Sequence, residues 1–132
     1  MATILRVSID KTGAIWVLDV EDSCNANRFD ANNIKRKIRW ELDGNAAGGA
    51  FHLLAEPDPG FKWLEPLAPP GVFGKPELSD DRKQISVTNL HKNSGSSGTF
   101  IYQLWIEFDG MHYSTVAELG IRAATNPAII NR

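Results

Sequence analysis

The sequence is poor in the features that mark disulfide scaffolds, membrane proteins and helical bundles. Its single cysteine, Cys24, has no partner for an intramolecular disulfide, which argues against a stapled secreted scaffold and for a reducing cytoplasm. Met1 to Asp10 lacks a basic region followed by an apolar stretch and a small-residue cleavage site, so it reads as a strand and not as a signal peptide, although a mature form with its leader removed would read the same. The longest uncharged run, Asn93 to Ile106, is rich in Ser and Gly and falls short of the ~20 apolar residues of a membrane helix. No transmembrane segment and no membrane partner are expected. Charge of one sign is also missing: 14 basic and 16 acidic residues leave a net charge of −2, without the basic footprint of a nucleic-acid binder. No window of about eleven residues holds the 3.6-residue period, so helix is limited to a turn or two, near Asp30 to Lys37 or Val116 to Ala124.

What is present is alternation. The chain has 132 residues, 42% of them hydrophobic, which suits one domain spanning residues 1–132. Leu5, Val7 and Ile9 alternate with Ile4, Arg6 and Ser8; Trp16, Leu18 and Val20 alternate with Val17, Asp19 and Glu21. From Lys35 to Asp43, Ile38, Trp40 and Leu42 share one face and charged residues the other. Phe51, Leu53 and Ala55 suggest a fourth strand, Ile85 and Val87 a fifth. Thr99 to Asp109 is apolar on both faces near its middle, with Phe100, Tyr102, Leu104, Ile106 and Phe108 on one side and Ile101 and Trp105 on the other, as a central strand requires. Asp109-Gly110 is a hairpin signal, because both residues tolerate the positive φ of a type I′ turn, and Met111 to Val116 should return antiparallel.

The expected fold is therefore all-β: an antiparallel β-sandwich, immunoglobulin-like, with about seven strands. Trp16, Trp40, Tyr102 and Leu104 are its expected core. Trp40 occupies the place of the buried Trp of immunoglobulin-like domains and Tyr102 that of a tyrosine corner; the inter-sheet disulfide is absent.

The chemistry-bearing signals are few. Residues 56–76 hold six of the seven prolines together with Phe61, Trp63, Leu64 and Phe73. A connection this long is usually functional or disordered, and its aromatics argue against disorder. One reading packs these aromatics on an open end of the sandwich; the other makes Asp58, Phe61, Trp63 and Glu65 a recognition surface. Stacking of a glycan on Trp63, Trp105 or Tyr113 beside carboxylates is the alternative to a protein partner. His52, His91 and His112 are scattered, with no metal-binding spacing, and no cofactor is expected. Asp19, Glu21 and Asp22, like Asp80 and Asp81, lack the spacing of a calcium loop and read as solvated turns. Nothing around Cys24 marks a nucleophile, and P-loop, dinucleotide and hydrolase motifs are absent, so the chain reads as non-catalytic. The basic stretch Lys35, Arg36, Lys37, Arg39 is cancelled by Glu41 and Asp43 and reads as a solvated face. An outer patch of Ile101, Trp105, Ile15 and Val17 calls for a cover, either a second copy in a homodimer or the Pro-rich loop or the tail Ile129-Ile130.

The last third of the chain carries a resemblance. Ile85 to Leu90 with Asn93, Tyr102 to Ile106, Asp109-Gly110, Tyr113 to Thr115 and Asn126 to Asn131 resemble the closing strands of the bacterial DP-EP family, small all-β proteins of unknown activity, with a fainter echo in Val7 to Ile15. Asn126 stands where that pattern has an Asp-Pro, and Val116 to Thr125 resembles an insertion. The resemblance implies a sandwich and brings no catalytic residues.

Overall fold

The computed structural model describes residues 2–21, 26–31, 35–92, 94–115 and 127–132. Eleven strands occur among them: β1 (Ala2–Asp10), β2 (Val17–Val20), β3 (Ala26–Phe29), β4 (Arg36–Leu42), β5 (Ala50–Phe51), β6 (Phe61–Trp63), β7 (Glu77–Leu78), β8 (Gln84–Asn89), β9 (Gly98–Phe108), β10 (Met111–Ser114) and β11 (Ala128–Asn131). They form two packed sheets. The first runs β2-β1-β4-β8-β7. In the second, β10 and β11 pair along one edge of β9 and β5 and β6 along the other, with β3 outside β11. Among the described residues the only helical structure is two 3₁₀ turns, Gly44–Ala46 and Ser94–Ser96. The helical turn expected near Asp30 to Lys37 lies partly outside the described residues, and that at Val116 to Ala124 lies wholly outside them, as do Cys24, Asn93 and Asn126.

Alternation becomes burial. Ile38, Trp40 and Leu42 of β4 and Ile85, Val87 and Asn89 of β8 point into the core, as do Phe100, Tyr102, Leu104 and Ile106 of β9. The β9–β10 hairpin turns on Asp109 and Gly110 at φ +51° and +77°, the left-handed pair that a type I′ turn needs.

Four expectations need correction. The sandwich is mixed and not purely antiparallel, because β1 runs parallel to β4 and β11 parallel to β3; period-2 patterning reports faces and is silent on direction. Eleven strands replace about seven, since β3, β6, β7 and β11 have two to four residues each, too few to alternate visibly. The fourth strand ends at Phe51, and Leu53 is exposed, because the chain leaves the sheet at His52. Trp16 is not core: it precedes the edge strand β2, is 42% exposed, and lies on the Tyr113 ring at 6.1 Å with Lys11 Nζ 4.7 Å from its own ring centre. Val17, expected outside, is buried in its place.

The sheets meet through one aromatic group. Trp40 of the first sheet packs 5.0 Å from Tyr102 and 4.9 Å from Phe61, both of the second, and these two stack at 5.3 Å. Trp40 Nε1–H donates to Tyr102 Oη at 2.9 Å, so the hydroxyl serves the facing sheet. A second polar tie joins the sheets at their far end. Asn89 of β8 and Asn131 of β11 exchange amide hydrogen bonds of 2.8 and 3.3 Å, and Asn131 also donates to Ser96 O. Arg132 O can only accept, so His91 Nε2–H donates to it at 2.5 Å, which leaves Nδ1 to accept from Ser96 Oγ at 2.6 Å.

Burial pushes the Tyr102 hydroxyl well above the ordinary tyrosine value, with the Trp40 hydrogen bond working weakly in the opposite direction. The folded chain thus keeps a proton that the unfolded chain releases above about pH 10. Stability from this group is complete below that pH and is lost as pH rises beyond it. Tyr102→Phe is expected to strand the Trp40 donor, lower stability by about 1–3 kcal/mol in denaturant titration, and flatten the alkaline decline; an unchanged midpoint would contradict the role given to this bond.

Candidate functional site

The Pro-rich segment is anchored at both ends. Near its start, β6 pairs with β9 in the register Phe61↔Leu104, Lys62↔Gln103, Trp63↔Tyr102. Phe61 therefore points into the core, where it is 3% exposed, and Trp63 shares that face at its rim. Near the end of the segment, Phe73 bridges Asn89, Gly74 N–H donates to Thr88 O at 2.9 Å and Leu90 N–H to Val72 O at 2.7 Å, which fastens the chain to β8. Trp63 and Phe73 meet at 4.4 Å. Prolines without donors keep the intervening residues out of either sheet. The result is an open cleft of about 290 Å³ lined by Trp63, Leu67, Pro69, Pro70, Phe73 and Lys75 among others. Leu67 stands 62% exposed at it.

The other sequence-predicted residues do not join this cleft. Glu65 is exposed and precedes a cis Pro66. Tyr113 opposes Ile106, so it turns to the inner face, where it packs against the core edge and Trp16. Trp105, one residue out of phase with Leu104 and Ile106, is on the outer face, whereas Trp63 opposes the inward Tyr102. The two tryptophans thus lie on opposite faces of one sheet and form no common platform.

On the outer face the structure assembles a group that sequence spacing conceals. His52, beyond β5, hydrogen-bonds through its backbone N–H to Trp105 O at 3.1 Å and lays its ring on the Trp105 indole at 5.8 Å and 25°. Its ring Nδ1 lies 2.8 Å from Asp58 O, and its Nε2 lies 2.8 Å from Nδ1 of His112 on β10. The two side chains, sixty residues apart, meet over β9. A carbonyl oxygen only accepts, so His52 Nδ1 carries a proton; when the ring holds no second proton, it accepts at Nε2 and His112 donates from Nδ1. Glu56 Oε2, 3.3 Å from His52 Nδ1, reinforces that tautomer. The reading of three scattered histidines is corrected here, because β5 and β10 flank β9 in space. Among the described residues no group of three or more His, Cys, Asp or Glu is gathered for a metal ion. Trp105 Nε1 is buried without a hydrogen-bond partner among the described residues. The His52 ring is thus a cover for Trp105, and Val17 is absent from the outer patch because it is core; Ile129-Ile130 lies in β11, beside β9 in the sheet.

Comparison with protein-family models, with curated proteins and with solved structures finds no match for this chain. No helix among the described residues is long and apolar enough to cross a membrane.

The turn that brings Asp58 back to His52 closes on Gly60. A Cβ there would stand 2.5 Å from His52 O and 2.9 Å from Ile85 Cδ1. Gly60→Ala is expected to cost about 1–3 kcal/mol by overpacking, read as a lower denaturant midpoint; full stability would show that the 52–60 turn is not held as described.

Proposed function

We propose that the chain is a non-catalytic interaction module whose binding surface is the cleft of residues 63–76, and that its partner is a protein segment offering an apolar side chain. The observation that carries this reading is an apolar cleft whose walls are pinned to two sheets. Trp63 is held by β6 and Phe73 by its bridge to β8, so the cleft is preformed and little ordering entropy is spent on binding. Among the described residues, Lys75 is the only titratable one lining it, which suits contact and not chemistry. Exposed Leu67 adds an apolar contact. In the same reading the sandwich is immunoglobulin-like around the buried Trp40, and the single cysteine suits a cytoplasmic setting. No observation favours the glycan alternative, since Trp63 and Trp105 face opposite ways.

Selection of a displayed peptide library on the full chain tests the proposal. Enriched peptides should share an apolar anchor and lose at least about tenfold in affinity against Leu67→Asp, a variant whose circular dichroism should match the parent. Peptides that bind the variant equally well, or enrichment of none, would contradict it.

A further inference from the structure

The outer-face histidine pair supports an inference independent of the cleft. We propose that His52 and His112 form a two-imidazole site for a divalent transition-metal ion of tetragonal preference, copper(II) or nickel(II). The two facing nitrogens, His52 Nε2 and His112 Nδ1, are 2.8 Å apart. Metal–nitrogen bonds of about 2.0–2.1 Å meeting at about 90° place cis ligands ~2.9 Å apart, whereas a tetrahedral angle needs ~3.3 Å. The observed 2.8 Å is the hydrogen bond between the rings, and an ion that replaces its proton finds both nitrogens within reach of cis positions. His52 is already oriented as metal-bound imidazoles are, with its other ring nitrogen donating to a backbone carbonyl, that of Asp58. A carboxylate, Glu56, stands behind it at 3.3 Å, and Glu107 of β9 lies directly across from His112 on the same face. Both supply negative potential for a cation.

The exchange balances without any redox step. The proton that bridges the rings leaves His112 Nδ1 for water, and water returns one to His112 Nε2. Both imidazoles stay neutral, each gives one lone pair to the ion, and water fills the remaining positions. His52 is held by Asp58 and Trp105, whereas His112 is exposed, so its ring can swing off the line of the hydrogen bond and bring its Nδ1 lone pair beside that of His52.

Copper(II) chloride titrated into the full chain at about pH 7.5, where free imidazole is mostly neutral, tests the site. One ion per chain should quench the Trp105 emission beneath His52, and electron paramagnetic resonance should show two imidazole nitrogens. His112→Gln, an exposed change that should leave circular dichroism unaltered, should weaken binding at least about tenfold. Equal affinity of the two proteins, or a spectrum with fewer than two nitrogen ligands, would overturn the proposal.

Discussion

The hydrogen bond from Trp40 Nε1 to Tyr102 Oη is the constraint on which the rest of the structure depends. Trp40 is fully buried, and an indole N–H removed from water needs an acceptor. Only the facing sheet supplies one here, so β4 must lie across β9 with Trp40 against Tyr102. That single match sets the phase of both strands. In β4 it turns Ile38 and Leu42 inward; in β9 it does the same for Phe100, Leu104 and Ile106. A one-residue slip of either would bury charged residues of β4 or turn Trp105 into the core.

Once β9 is phased, the surfaces follow. Residues that pair opposite its inward positions face the core, which is why Phe61 and Trp63 join Tyr102 and why Tyr113 packs beside Ile106. Residues beside its outward positions meet on the opposite face, which is why His52 settles on Trp105 and reaches His112. The cleft and the histidine pair thus belong to two sides of the same strand. The cleft is apolar because it continues the core outward; the pair is polar because it sits over a face otherwise turned to water.

Alternation makes Lys35 to Asp43, Ile85 with Val87, and Thr99 to Asp109 legible as strands, as the positive-φ pair makes the Asp109-Gly110 turn, whereas the alternation of Phe51, Leu53 and Ala55 overstates a strand that ends at Phe51. Short strands such as β6 gain their pairing from β9 and not from their own pattern. Trp16 misled because an edge strand has a rim where the inward phase no longer means burial. The packing of the Pro-rich aromatics was readable from their chemistry, since an ordered loop must bury something. The histidine pair was not readable. His52, just beyond β5, and His112 on β10 sit at opposite edges of β9, and no local spacing encodes that neighbourhood.

Hydrogen exchange of the tryptophan indole protons, followed by nuclear magnetic resonance, tests the central claim most directly. If the Trp40–Tyr102 bond joins the sheets, the Trp40 Nε1 proton should exchange only through global unfolding, at the rate of the slowest β4 and β9 amides, while exposed Trp16 exchanges freely. Exchange of the Trp40 proton far faster than those amides would show that the bond opens within the folded sandwich, and would contradict the account.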